Sequence, residues 1–143
     1  MPRELRIASS AWIHLALLLL LLPLNWVCAS IIAATLHELC HMIVLWILKI
    51  RVFRLTVGPG GAILDTGPME PKQELLASIA GPVGSLCLIS VLHLFPRVAL
   101  CGLVQGLYNL IPLGNLDGGR AVKCGIALLH GKSPCKQGKD GVQ

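Results

Sequence analysis

One long apolar segment constrains the fold of this chain more than any other feature. Residues 27–50 are almost all apolar, and a bilayer-crossing helix needs only ~20 such residues. In lipid, every backbone N–H and C=O must be satisfied within the protein, so the segment is expected to be helical. Three strongly polar residues, His37, Glu38 and His41, lie in its middle. Ionisable residues in a membrane helix are costly and usually mark a functional interior site.

The composition supports lipid as the main solvent of the chain. Apolar residues make up 55% and charged residues 13% of the 143 residues, against about 45–50% and about 25% in soluble domains. The net charge is +5, but the cations flank apolar runs instead of clustering with aromatics on a soluble face. We therefore predict an integral membrane protein that contacts membrane lipid and binds no nucleic acid.

Four apolar runs predict about four transmembrane helices, the last of them broken. Pro112 and Gly114 interrupt the fourth run, and residues 117–130 form a further helical piece. Two pairs, Asn25–Trp26 and Pro96–Arg97, are expected to turn the chain between helices. The four runs cover residues 11–24, 27–50, 74–95 and 98–111.

Residues 52–67 follow a different pattern. Phe53, Leu55 and Val57 alternate with other residues, then come Gly-Pro-Gly-Gly and a second short apolar stretch, which predicts two strands around a glycine turn. Asp65 is expected to be a turn residue after this hairpin. The predicted fold class is an all-α polytopic membrane protein with a short membrane-associated β-hairpin after the second helix. Residues 1–130 are expected to form one domain and residues 131–143 a polar, basic cytoplasmic tail.

The distribution of cations predicts the orientation. If the N-terminus is cytoplasmic, eleven of the twelve Lys and Arg residues lie on the cytoplasmic side, and only Arg97 lies outside. Both termini are then cytoplasmic in a multi-pass protein. An alternative is that the first run is a signal peptide, cleaved near Val27-Cys28-Ala29, which would leave the orientation of the second helix unchanged.

His37, Glu38 and His41 form the pattern His-Glu-x-x-His. Two histidines at i and i+4 lie on one helix face, so both can reach one ion, and neutral imidazole binds zinc at ~2.0–2.1 Å. Glu38, beside the first histidine, can act as general base toward water. The alternative is a pair of core histidines with a chance glutamate. A divalent cation explains the cluster better, because the sequence places no basic side chain nearby to pair with Glu38.

A catalytic zinc site usually has three protein ligands and one open position. Asp117 is the best third candidate, since it lies beside Gly118-Gly119 in an apolar stretch, although it could instead be a helix N-cap. Glu70 and Glu74 are expected to be ordinary acids at a helix start. His14, His93 and His130 lie near helix ends and are expected to be structural or interfacial residues. The six cysteines include no CxxC pair and are expected to be small packing residues.

Two motifs resemble the site-2 protease family of intramembrane zinc metalloproteases, and in particular its branch that contains the stage IV sporulation protease. One is His37-Glu38-Leu39-Cys40-His41. The other, Asn-x-x-Pro-x-x-x-Leu-Asp-Gly, is matched from Asn109 to Gly118. Ala80-Gly81-Pro82 also resembles a motif in the middle helix of the family. In the family this motif is often followed by Asn two residues on, whereas in this chain Ser85 comes after Gly84. The chain resembles a minimal form without PDZ or CBS domains.

The resemblance implies a site and an activity. His37, His41 and Asp117 would bind one Zn²⁺ per chain and Glu38 would be the general base. Asn109 would help to hold the substrate. The hairpin glycines, Gly60 and Gly61 among them, would help to receive the substrate as an added strand.

The predicted function is a zinc-dependent metalloendopeptidase that cleaves single-span or membrane-anchored proteins in or near their transmembrane segments. Its expected location is the bacterial cell membrane, and the sequence leaves open whether it forms a homo-oligomer. Two alternatives are a catalytically idle zinc-binding scaffold and a small metal transporter. A scaffold that only binds zinc does not need Glu38 as a base. A transporter would need further metal ligands spaced along the membrane normal.

Overall fold

The computed structural model describes residues 4–58, 61–114 and 116–130 of the chain, except for the side chain of Leu5. The predicted tail, residues 131–143, and Gly60 lie outside these residues. Within them the chain forms five α-helices and one small sheet. In chain order the elements are β1 (Glu4–Ile7), α1 (Ser9–Leu21), α2 (Leu24–Ile47), β2 (Val52–Gly58), β3 (Gly61–Thr66), α3 (Pro71–Cys87) followed by a 3₁₀ turn (Leu88–Val91), α4 (Pro96–Leu110) and α5 (Asp117–Leu129).

Two helical segments are long and apolar enough to cross a membrane: α2, with 24 residues, and α3 together with its 3₁₀ turn, with 21 residues. A helix of 24 residues is about 36 Å long, more than the ~30 Å hydrocarbon core. Of the four predicted crossings, two therefore meet these criteria among the described residues. The helix α1 is apolar but only 13 residues long.

The end of α2 is set by Lys49, which has a left-handed backbone with φ of 56°. The N–H of Ile50 donates to the Leu45 carbonyl and the N–H of Lys49 donates to the Trp46 carbonyl. This is the Schellman arrangement, and Ile50 and Leu45 also pack in the same apolar cluster. The cap ends the helix three residues before the predicted boundary and directs the chain into β2.

The sheet contains the predicted hairpin and one strand that was not predicted. β2 and β3 pair antiparallel with Thr56 opposite Ile63. β1 pairs parallel with β2, so the order is β1-β2-β3 and β3 is an edge strand.

The carboxylate of Glu4 accepts hydrogen bonds from Arg6 (2.8 Å) and Arg54 (2.9 Å), and these bonds lower its pKa. The all-α prediction is therefore too narrow, because the chain combines a helical bundle with a three-stranded sheet.

Three predicted turns are wrong, each for a local reason. Asn25 and Trp26 lie inside α2, because the chain turns at Pro23, just before that helix. Pro96 is the first residue of α4, where its missing N–H costs nothing. Asp65 lies within β3 opposite Arg54, and its carboxylate is 3.8 Å from the Arg54 guanidinium.

α3 is the central helix of the bundle and packs against α2, α4 and α5. Small residues on α3 allow the helices to approach closely: a Cβ added at Gly84 would collide with the sulfur of Cys40 on α2. By contrast, α1 has no buried residues and makes few contacts with α2. The site is therefore assembled around α3, with α2 on one side and α5 on another.

Candidate metal centre

The two histidines of α2 point into the bundle. His37 is 2% exposed and His41 is 7% exposed, and their Nε2 atoms lie 3.2 Å apart. A spacing of four residues brings side chains to the same helix face. The rings meet edge to face, at 75° and with centroids 4.8 Å apart. Both Nε2 atoms therefore face one point between α2, α3 and α5.

Asp117 reaches the same point from the start of α5. Its Oδ2 lies 3.2 Å from Nε2 of His37 and 3.1 Å from Nε2 of His41. The chain reverses tightly before it: Gly114 has φ of +39°, and a Cβ at Gly118 would collide with the Leu110 carbonyl. The N-cap of α5 is Leu116, so Asp117 is the first helical residue and not the cap. The glycines after Asp117 are needed for this close return of the chain.

The three converging atoms fit a tetrahedral zinc site. Ligand atoms at ~2.0–2.1 Å from zinc in tetrahedral geometry are about 3.3 Å from one another, close to the 3.1–3.2 Å separations here. Two imidazole nitrogens and one carboxylate oxygen are a common ligand set for this metal, and three protein ligands leave one open position. His37, His41 and Asp117 could therefore hold one metal ion.

Contacts from α3 orient both imidazoles. Nδ1 of His41 donates to the Ala77 carbonyl at 2.7 Å, and Nδ1 of His37 lies 2.8 Å from the hydroxyl of Ser85. Such outer partners fix the orientation of a metal-binding imidazole. Gly81 lies between them along α3, and a Cβ there would collide with Nε2 of both histidines. Only glycine leaves room for the two rings at this position.

A cavity of about 460 Å³ opens beside the three side chains. Glu38 lies on its wall and accepts a hydrogen bond, 3.2 Å long, from the N–H of Ala62 on β3. The wall also includes apolar and polar groups from several elements. The edge strand therefore borders the cavity at the position of the predicted base.

Asn109 and Gly61 also line this cavity. Nδ2 of Asn109 lies 3.3 Å from Nε2 of His37, so its amide is directly beside the metal position. A Cβ at Gly61 would be 3.6 Å from the Glu38 carboxylate, and Gly61 has φ of +118°. Gly60 lies outside the described residues. The other described histidines, His14, His93 and His130, are exposed and do not line the cavity.

No family model and no curated protein matches this sequence. The structure is similar to that of the site-2 protease from Methanocaldococcus jannaschii, with a TM-score of 0.69 and 22% sequence identity. The similarity covers 94% of this chain and 69% of that one. This chain has the site-2 protease fold. The resemblance inferred from the sequence motifs is thereby confirmed at the level of the fold.

Within the site-2 protease fold of this chain, the structure adds two residues whose contacts are not predicted from the sequence. In the sequence, Ser85 is only a departure from the family's motif. Glu74 lies in the first turn of α3, as predicted, but it is 4% exposed and lies 3.6 Å from the guanidinium of Arg120 on α5. No local pattern reveals these contacts, because each joins residues on different helices.

Proposed function

We propose that this protein is a zinc-dependent intramembrane endopeptidase that hydrolyses peptide bonds in or near the transmembrane segments of single-span or membrane-anchored proteins. One observation carries the proposal. Nε2 of His37, Nε2 of His41 and Oδ2 of Asp117 converge within 3.2 Å of one another, beside a carboxylate and an open cavity. The site-2 protease fold supports the same conclusion.

His37, His41 and Asp117 would hold the zinc ion. When bound, zinc supplies Lewis acidity, which makes water a stronger acid and a carbonyl carbon a stronger electrophile. Glu38 would remove the proton from the attacking water and pass it to the leaving nitrogen. Its position on the cavity wall, one residue after His37, leaves its carboxylate beside the three ligands and not among them.

The free edge of β3 is the proposed substrate-binding strand. A helical substrate hides its carbonyls in backbone hydrogen bonds, so it must unwind before hydrolysis, and a new strand pairing would replace those bonds. The N–H of Ala62 points away from β2, toward Glu38. A substrate carbonyl that accepts from Ala62 would therefore lie next to the base. The Asn109 amide, whose Nδ2 is 3.3 Å from Nε2 of His37, would hold a second substrate carbonyl.

The location within the membrane follows from α2. His41 lies six residues before the end of the helix at Ile47, or about 9 Å along its axis. The site would therefore lie inside the bilayer, near the side of the hairpin. With the orientation predicted from the cations, that side is cytoplasmic, as are both termini. A multi-pass protein of the bacterial cell membrane remains our proposal for its location.

The two alternative functions are less well supported. A metal transporter would need several ligand groups along the membrane normal, whereas the described part of the chain holds one such group. A zinc-binding scaffold would have no use for a carboxylate on the wall of an open cavity. Neither alternative explains the edge strand that borders the site.

Replacement of Glu38 tests the proposed function. In proteoliposomes with a tail-anchored or single-span substrate, Glu38→Gln should abolish cleavage and retain bound zinc, because Gln keeps the shape but cannot accept the proton. Glu70→Gln, at an exposed position before α3, is the matched control and should cleave as the wild type does. Cleavage by Glu38→Gln at the wild-type rate would eliminate this residue as the base.

A further inference from the structure

The two imidazoles of the metal centre have different partners at Nδ1. His41 faces the carbonyl oxygen of Ala77 at 2.7 Å, and a carbonyl can only accept. Neutral His41 therefore carries its proton on Nδ1 and presents the Nε2 lone pair to the metal position. His37 faces the hydroxyl of Ser85 at 2.8 Å, and a hydroxyl can either accept or donate.

This difference gives His37 two satisfied arrangements. With its proton on Nδ1, the ring donates to Ser85 and Nε2 presents a lone pair. With its proton on Nε2, the ring accepts from Ser85 and donates to Oδ2 of Asp117, which is 3.2 Å away. The Asn109 amide, 3.3 Å from the same Nε2, can present its N–H to the lone pair in the first arrangement and its oxygen to the N–H in the second. His41 has no second arrangement, because a proton moved to its Nε2 would leave two acceptors facing each other at Ala77.

Burial prevents water from substituting for the Ser85 hydroxyl. Ser85 is 0% exposed and His37 is 2% exposed. Gly106 of α4 lies directly against Ser85, where an added Cβ would be 3.2 Å from the serine Cβ. An imidazole that lost this hydroxyl would retain an unsatisfied polar atom in the bundle, which is costly.

We propose that Ser85 is a positioning residue that keeps His37 hydrogen-bonded in both neutral tautomers, so that His37 is the exchangeable metal ligand and His41 the fixed one. The proposal rests on the proposed metal centre. With zinc bound, His37 would carry its proton on Nδ1 and donate it to Ser85; without zinc, His37 would carry its proton on Nε2 and donate it to Asp117. The net charge of the imidazole is the same in both arrangements.

Two serine variants provide a matched test. Ser78 lies on the same helix, is 2% exposed, and its Oγ has no hydrogen-bond partner among the described residues. Zinc affinity is measured by chelator competition on the full chain in nanodiscs. Ring ¹⁵N shifts report the tautomers before and after chelation, with His37→Gln used to assign the signals. Ser85→Ala should weaken zinc binding about 10–100-fold, and Ser78→Ala should leave it unchanged.

The ¹⁵N spectra give a readout that simple loss of packing would not produce. In the wild type with zinc, both histidines should carry the proton on Nδ1. After chelation, His37 should show the Nε2-protonated form and His41 should not. Equal zinc affinities of the two serine variants, or a His37 ring that stays protonated on Nδ1 after chelation, would overturn the role of Ser85 but not the metal site. A wild-type chain that binds no zinc would overturn the proposed function itself, and this inference with it.

Discussion

At the scale of single residues, the geometry of the metal centre depends on the space around each ligand side chain and on the hydrogen bonds that orient it. Gly81 has no side chain, and that absence makes room for both imidazoles. His41 cannot change its tautomer without losing Ala77. Asp117 is 14% exposed at its side chain, so its carboxylate is largely removed from water and is positioned by the tight return of the chain. The site therefore depends on close packing as much as on its ligands.

Gly81→Ala tests this dependence. The added methyl group would collide with both Nε2 atoms, so we expect zinc affinity to fall by at least about tenfold, with a loss of about 1–3 kcal/mol in stability from overpacking. The control is Gly125→Ala on α5, where a Cβ meets nothing within 4 Å. Chelator competition measures the affinity. A Gly81→Ala chain that binds zinc like the control would show that the rings are not packed against α3.

At the scale of elements, α3 supports every part of the centre. One face of the helix carries Glu74, Ala77, Gly81 and Ser85, at spacings of three or four residues. Glu74 lies beside Arg120 of α5, and the carbonyl of Ala77 accepts a hydrogen bond from His41. Gly81 leaves room for both histidine rings, and Ser85 is hydrogen-bonded to His37. The helix therefore joins the two elements that supply metal ligands.

The Glu74–Arg120 pair connects α3 to α5 one turn after Asp117. Arg120→Gln would leave the Glu74 carboxylate, which is 4% exposed, without its cation. We therefore expect the unfolding free energy to fall by about 3 kcal/mol. Zinc binding should also weaken, because the start of α5 would shift. Lys123→Gln, at an exposed position on the same helix, should change neither. Addition of Glu74→Gln to the Arg120 variant should recover part of the stability in chemical denaturation. An Arg120→Gln chain as stable as the Lys123 control would contradict the pairing.

The edge strand β3 is tested at Ala62. Proline is tolerated on a free edge but has no N–H, so Ala62→Pro should retain zinc and lower the rate of substrate cleavage at least about tenfold. Ala62→Ser keeps the N–H and should cleave normally. The comparison uses purified variants with equal zinc content in proteoliposomes. If both variants cleave at the same rate, the substrate does not pair with this N–H.

Local patterns predicted some elements and not others. The glycine-centred alternation of residues 52–67 gave the hairpin, because both strands are close in sequence. β1 was missed because Glu4–Ile7 has only four residues and pairs with a distant strand. The i, i+4 histidines could be assigned to one face from the sequence alone. The choice between cap and ligand for Asp117 required the three-dimensional return of the chain, and so did the roles of Ser85 and Glu74.

At the scale of the whole molecule, few residues form a conventional core. The buried apolar side chains are mostly small, and many large ones, such as Trp46, Leu20 and Leu129, are exposed. This distribution fits a protein whose outer surface contacts lipid. Because α1 contributes no buried residue, the stability of the bundle depends on the packing among α2, α3, α4 and α5, to which any group that joins α2 to α5 would add.

Zinc would be such a link, so it should stabilise the whole fold. A ligand that binds only the native state at 100 times its dissociation constant adds about 2.7 kcal/mol. Thermal unfolding in detergent should therefore occur at a higher temperature with zinc than after chelation. His41→Ala should remove this difference, and His130→Ala, at an exposed position outside the cavity, should keep it. Equal unfolding temperatures of the wild type with and without zinc would contradict a structural link through the metal.

X-ray absorption spectroscopy at the zinc edge, on the purified full chain, tests the proposed metal centre. We expect one zinc per chain with only nitrogen and oxygen ligands at ~2.0–2.1 Å, including two imidazoles, and a loss of tight binding in Asp117→Asn. A chain without stoichiometric zinc, a sulfur ligand at ~2.3 Å, or an unchanged spectrum in Asp117→Asn would contradict it.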